Sequence, residues 1–213
     1  MDLKRAAEEL RKGRFVIIYD GDEREGEADL VLHAQNIRPE RIETLRKEAG
    51  GLICLAVSGN IAEKLGLPFI SDVIEKEKKL APLVINKTAY GDKPAFSLAI
   101  NHRGVYTGIT DNDRSLTIKK FAELVERKGG PKDLAKEFYT PGHVFLLIGR
   151  GIENRRGHTE LSLELAKQAG LDGTMVLCEM LGIGKALAKK DVIEYAERNG
   201  LAFIEGKELA GEV

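Results

Sequence analysis

The chain has 213 residues, of which 43% are hydrophobic and 31% charged, enough apolar material for one sizeable core. Lys and Arg number 33 against 34 Asp and Glu, a formal net charge of −1, so the basic excess of a nucleic-acid binder is missing. Two widely separated cysteines, Cys54 and Cys178, argue against a disulfide framework or a zinc knuckle and fit a reducing cytoplasm; no signal-peptide core and no apolar run of about 18 residues for a membrane span is present.

Hydrophobic periodicity predicts a helix over Leu3 to Lys12, closed by Gly13, then a buried strand over Phe15 to Tyr19. After an acidic segment, Leu30 to Leu32 reads as a second strand. Pro39 opens a helix that runs to Ala49 and stops at Gly50-Gly51. A strand over Leu52 to Val57 and a short helix over Ile61 to Leu65 follow. Phe69 to Pro94 has poor periodicity and reads as a long charged surface loop or lid. Phe96 to Ile100 is a strand, and Ser115 to Lys128 an amphipathic helix stopped by Gly129-Gly130-Pro131. His143 to Ile148 is a strand, Glu160 to Ala169 a helix and Met175 to Glu179 a strand. Asp191 is expected to cap a helix reaching Arg198, with Asn199-Gly200 ending it, before a last strand over Leu201 to Ile204. The alternation predicts one layered α/β domain spanning residues 1–213, without specifying the strand order.

The segment Asp20 to Asp29 (DGDEREGEAD) places six carboxylates and one Arg between two apolar strands. If the backbone stays extended, Glu25, Glu27 and Asp29 share a face, and a bound cation would offset their repulsion. The alternative is a solvated acidic hairpin. His143 stands in TPGHVFL at the start of a strand, and His158 in RRGHTE before a helix. The amides of that helix entry, with Arg155 and Arg156, suit a phosphate, and the imidazole suits a metal. His33 and His102 read as ordinary cap or surface residues. Thr110, in TGITDNDR, either caps the next helix or helps to hold a sugar phosphate. Glu179 ends an apolar strand, where a carboxylate needs a partner, and a raised pKa there would suit acid–base work. Cys54 and Cys178 read as buried thiols, Cys54 within reach of a pocket.

Taken together, DGDEREGEAD, GLICL at Gly51 to Leu55, TGITDNDRSLT at Thr107 to Thr117, PGHVF at Pro141 to Phe145, RRGHTE at Arg155 to Glu160 and VLCE at Val176 to Glu179 resemble the 3,4-dihydroxy-2-butanone 4-phosphate synthase family over nearly the whole chain. The resemblance implies a mixed α/β sandwich, a mixed sheet covered by helices, and a homodimer with active sites near the subunit interface. It implies conversion of ribulose 5-phosphate to 3,4-dihydroxy-2-butanone 4-phosphate and formate in riboflavin biosynthesis. The implied cofactor is magnesium, one or two ions with two the expectation, and manganese as a substitute. Carried over residue by residue, the metal ligands fall on Glu25 and His158, and the two residues essential to catalysis on His143 and Glu179. Substrate contacts fall on Arg24, Glu25, Asp29, Arg155, Arg156, Gly157, His158, Thr159 and Glu179, with Asp20, Cys54 and Thr110 as further pocket members. Gly21, Gly26 and Arg156 depart from the bacterial pattern, but every residue carried over as ligand or catalyst is present. The chain is not expected to carry the GTP cyclohydrolase II domain that some members add.

Chemistry alone leaves two rivals. Another metal-dependent sugar-phosphate isomerase or aldolase would use the same acids and anion site. A non-catalytic module keeping the fold would have lost some of Glu25, Asp29, His143, His158 and Glu179, all of which are retained.

Overall fold

The computed structural model describes residues 2–211. Seven strands form one mixed sheet: β1 (Val16–Tyr19), β2 (Ala28–His33), β3 (Cys54–Val57), β4 (Phe96–His102), β5 (Phe138–Ile148), β6 (Thr174–Glu179) and β7 (Ala202–Glu205). Their order is β4-β5-β3-β6-β2-β1-β7, with β1–β7 and β3–β5 parallel and the other pairs antiparallel. Strand alternation gives the sheet two apolar faces. Ile17, Leu30, Leu55, Leu146 and Val176 pack with Ile42, Ile118, Phe121 and Val192 on one side. Those four come from α2 (Pro39–Thr44), α5 (Asp111–Glu126) and α8 (Lys189–Asn199). Val16, Ile18, Val31, Ala56 and Leu177 pack on the other side with Leu10 of α1 (Asp2–Arg11) and Leu161 and Leu165 of α7 (His158–Gln168). The result is a helix–sheet–helix sandwich, as the periodicity and the resemblance predict.

Most expected elements form within a few residues. The helix from Pro39 reaches Ala49, its last turn (Leu45–Ala49) widened to a π-helical one, and Gly50 ends it at φ 90°. α3 (Gly59–Leu65) forms as expected. Other readings need correction. Gly130-Pro131 begins a helix, α6 (Pro131–Glu137), because Pro suits the first helical position and the Asp133 carboxylate accepts from the Gly130 N–H at 2.9 Å. β5 therefore starts at Phe138, five residues before His143. Asp191 lies inside the first turn of α8 and the N-cap is Ala188, so Asp191 acts through its charge on the helix dipole. The charged stretch from Phe69 to Pro94 contains α4 (Ile70–Ile74) and a 3₁₀ turn (Ala81–Leu83) and is otherwise irregular.

The acidic segment is not extended either. The Asp20 carboxylate accepts from the backbone N–H groups of Glu25 (3.1 Å) and Glu27 (3.0 Å), and Asp20 N–H donates to the Glu27 carbonyl. Asp20 thus closes the turn from inside, and strand geometry resumes only at Ala28.

Candidate active site

Register and alternation gather the chemistry at one end of the sheet. β2 begins where antiparallel β6 ends, pairing Asp29 with Glu179, and β3 begins with Cys54 opposite Leu177. Asp29, Cys54 and Glu179 share the periodicity of Val31, Ala56 and Leu177, so all three occupy the face covered by α7. The N-terminus of α7 lies over them. Glu25, Asp29, Cys54, Arg155, His158, Thr159, Leu177 and Glu179 line one cavity of about 280 Å³, roofed by Thr88, Tyr90, Pro94 and Ala95.

Glu25, Asp20 and His158 bring ligand atoms within 4.8 Å of one another, the one group of three or more such residues among the described residues. His158 is buried, and burial lowers its pKa against the opposing charges of Asp20 and Glu25, so the ring is neutral. Its Nε2 lies 3.1 Å from the Glu27 carbonyl oxygen, which only accepts, so Nε2 carries the proton and Nδ1 keeps the lone pair a metal needs. Asp20 is less free, since its oxygens serve the loop amides and the Arg24 guanidinium at 2.9 Å.

Asp29 is 1% exposed, and neither of its oxygens has a hydrogen-bond partner. Burial first, then the charges of Glu179, Glu25, Glu27 and Asp20, push its pKa well above the ordinary carboxylate range. Burial and the same neighbouring acids also raise Glu27. A carboxyl kept protonated in the fold but ionised in the unfolded chain destabilises the fold as pH rises above 3.8, until the raised native pKa is passed. Asp29→Asn in the presence of chelator is therefore expected to gain roughly 2 kcal/mol at pH 8, about 4–8 °C in Tm. The gain disappears at acid pH, where both states hold the proton. A thermal melt lowered by the substitution at every pH would contradict this account of Asp29.

Two guanidiniums serve this site: Arg155 lines the cavity, and Arg24 lines the neighbouring one and reaches across to Glu25. Arg155 is buried, its Nη1 is 2.6 Å from Glu160 Oε2, and its Nε has no hydrogen-bond partner. Gly157 allows this fold-back, because a Cβ there would overlap the guanidinium. Arg24 pairs with Glu25 at 2.6 Å and lies 4.9 Å over the Tyr90 ring. Burial alone would lower its pKa, but the hydrogen bonds to Asp92 and Asp20 and the Glu25 charge outweigh it, so Arg24 stays charged. The amides of His158, Thr159 and Glu160 have no intrahelical acceptor, completing an anion-receptive corner. Glu179 finds its partner in the Leu52 amide, 2.7 Å from Oε2. The Cys54 thiol is held protonated by burial, with the Glu179 and Asp29 charges adding to it. Cys178 lies in the opposite core, its pKa pushed up to about 12 by burial.

Six expected residues do not line this cavity: Asp20 and Arg24 touch Glu25 beside it, Gly157 directly precedes His158, and the other three are Thr110, Arg156 and His143. Thr110 caps α5, accepting from Asp113 N–H at 3.1 Å, and lies beside Pro39 and Glu43. Arg156 lines a neighbouring cavity with Arg24, Lys189 and Glu205. His143 is exposed. The register between β4 and β5 jumps from Ile100↔Val144 to Asn101↔Tyr139, so residues 140–143 bulge out of the ladder. Asn101 anchors the bulge: its Oδ1 accepts from His143 N–H at 2.8 Å and its Nδ2 lies 3.1 Å from His143 Nδ1.

A family model for 3,4-dihydroxy-2-butanone 4-phosphate synthase matches residues 4–212. The chain belongs to that family. A 3,4-dihydroxy-2-butanone 4-phosphate synthase of Methanosarcina mazei is 43% identical over 220 residues, covering 98% of this chain and 89% of the relative. The solved two-domain 3,4-dihydroxy-2-butanone 4-phosphate synthase from A. baumannii matches with a TM-score of 0.81 at 29% identity; the match covers 98% of this chain and 56% of that one. A 3,4-dihydroxy-2-butanone 4-phosphate synthase solved in complex with two magnesium ions shares the fold, with a TM-score of 0.80, 24% identity and coverage of 98% and 94%. No described helix of this family member is long and apolar enough to cross a membrane.

Residue reasoning from sequence alone missed Asp92, Tyr90, Thr88, Asn101 and Glu160. Glu160 carried a usable signal, an acid three residues after the helix-capping Gly157. Asp92 and Tyr90 carried none, since they lie in the stretch without periodicity.

Proposed function

We propose that this chain converts ribulose 5-phosphate to 3,4-dihydroxy-2-butanone 4-phosphate and formate in riboflavin biosynthesis, as a magnesium-dependent lyase. In this reading it is one domain that works as a cytoplasmic homodimer on a small-molecule substrate, and manganese substitutes for magnesium. The observation that carries it is the convergence of Glu25 and His158, 133 positions apart in the chain, with Arg155, Asp29 and Glu179 in one cavity, and with Arg24 paired to Glu25 beside it.

The donor set fits a divalent cation. Carboxylate oxygens suit magnesium and manganese alike, and a cation would relieve the mutual repulsion that adds to burial in raising Asp29 and Glu27. Glu25 and His158 would hold it, with Asp20 in reach for a second ion or a water. When bound, the metal supplies Lewis-acid stabilisation of negative charge on sugar oxygens. The chain's own groups supply the rest. Arg24, Arg155 and the first amides of α7 bind the phosphate. Asp29, buried with its proton, and Glu27 move protons at the sugar carbons. Glu179, oriented by the Leu52 amide, serves as an acid–base group facing the substrate. Thr88, Tyr90 and Pro94 exclude water from above.

His143 belongs to this reading through the dimer. Leu52, whose amide meets Glu179, and Leu181 and Ile183, which follow Glu179 in the chain, are exposed, as are Tyr106, Ile109 and Tyr139 around Asn101. In this reading these side chains belong to the dimer interface, since an apolar patch is better buried against a partner than left in water. Association over them would bring His143 of the partner subunit to a cavity it does not line within its own chain. Its Nδ1 accepts from Asn101, which leaves Nε2 to face the substrate.

The test is incubation with ribulose 5-phosphate and magnesium, assaying formate with and without a chelator. Stoichiometric, chelator-sensitive formate is expected. An isomerised pentose phosphate without formate would transfer the site to the isomerase class.

A further inference from the structure

The segment that roofs the cavity carries a carboxylate, Asp92, that points at both guanidiniums. Its Oδ2 lies 2.8 Å from Arg24 Nη2 and 3.6 Å from Arg155 Nε. The second contact is an ion pair without a hydrogen bond, which is why the Arg155 Nε donor has no hydrogen-bond partner. Both arginines are nearly buried, while the Asp92 side chain is 27% exposed. One carboxylate thus spans two cations that are closely set in the fold, satisfying one well and the other poorly.

Asp92 is placed there by a compact turn. Thr88 N–H donates to the Asp92 carbonyl at 2.9 Å, Asp92 N–H to Thr88 Oγ1 at 3.2 Å, and Gly91 N–H to the Thr88 carbonyl. Gly91 adopts φ 96°, which the turn requires. The same turn lays the Tyr90 ring under Arg24, so ring and carboxylate hold the guanidinium by its face and its edge. The turn is therefore tied to the site through charge, the Asp92 carboxylate reaching Arg24 and Arg155, and through the Tyr90 ring against Arg24.

We propose that Asp92 is an internal stand-in for the substrate's phosphate: it occupies the position between Arg24 and Arg155 and is displaced when a dianion takes the pair. This rests on the reading of Arg24 and Arg155 as the phosphate anchor. A phosphate has the oxygens to accept from Arg24 Nη2 and Arg155 Nε together, which one carboxylate oxygen does not achieve here. Like charge prevents Asp92 and the phosphate from sharing the position, so phosphate entry expels the carboxylate and frees the Thr88–Asp92 turn to rearrange over the substrate. Asp92 thereby sets the selectivity threshold: an uncharged sugar cannot displace it, and a phosphorylated one can.

Asp92→Asn removes the competing charge at constant size. The expected result is inorganic phosphate bound by the full chain on the order of tenfold more tightly, the scale of one charge-assisted hydrogen bond, measured by calorimetry. KM for ribulose 5-phosphate is expected to fall by a similar factor, with kcat unchanged or lower. A raised or unchanged KM in Asp92→Asn would overturn the proposal, because a carboxylate that merely orients Arg24 helps binding and its loss weakens it. Arg155→Lys separates the two levels. If its KM equals that of the unaltered protein, the phosphate-anchor reading itself fails; if its KM rises while Asp92→Asn also raises KM, the anchor stands and the displacement fails.

Discussion

Glu25→Gln is expected to lower magnesium-dependent formate release about a thousandfold or more, the scale of removing a group that stabilises transition-state charge. The substitution keeps the shape of the side chain and its reach to Arg24 Nη1, 2.6 Å away, but removes the anionic oxygen that faces His158. Magnesium affinity measured by calorimetry should fall with activity. Folding should not suffer, since Glu25 adds to the charge that pushes Asp29 and Glu27 upward, and removing it relieves the cluster. The thermal midpoint in chelator is therefore expected to stay level or rise. Undiminished magnesium-dependent formate release from Glu25→Gln would take the metal site away from this loop.

Mixing two inactive proteins, His143→Ala and Glu179→Gln, is expected to restore activity. Under the proposed homodimer the Glu179 of one subunit works with His143 of the partner subunit. A heterodimer of the two variants then holds one site with both residues intact and one with neither. Random exchange at equal concentrations makes half the dimers mixed, so about a quarter of the sites regain full function. Were both residues to act from one chain, no mixture would contain an intact site and activity would stay at the level of either variant. The expectation stands on two observations: Glu179 lines the cavity while His143 does not, and the exposed apolar side chains flank Glu179 and the Asn101 anchor of His143. The conservative choice at Glu179 retains a side chain that can meet the Leu52 amide, so lost folding does not masquerade as lost chemistry.

Helices α1, α5, α7 and α8 were legible because each buries one face at a period of 3.6, and strands β1, β3 and β6 because burial on both faces makes each a short unbroken apolar run. The misread elements share a different physics. α6 has no buried residue and begins at a Pro, so no periodicity revealed it. The bulge before Val144 is a matter of pairing register, and register depends on a strand 40 residues away. The acidic segment misled for a related reason: extended geometry would align Glu25, Glu27 and Asp29, but the Asp20 carboxylate found amides to satisfy and curled the chain around itself.

By itself the sequence determined the chemical inventory: the acids of residues 20–29, the RRGHTE entry to α7, and Glu179 at the end of an apolar run, together with the layered α/β class that carries them. Only the tertiary structure decided which of them meet. Antiparallel pairing of β2 with β6 set Asp29 against Glu179, and packing of α7 on that face brought His158 over both. The same packing left His143 and Thr110 outside the cavity, drew in Tyr90 and set Asp92 against Arg24 and Arg155, neither of which any local pattern marked. Residue type and spacing are local properties of a chain, whereas the sharing of a cavity depends on strand order and helix placement, which are settled by the burial of the whole apolar surface at once.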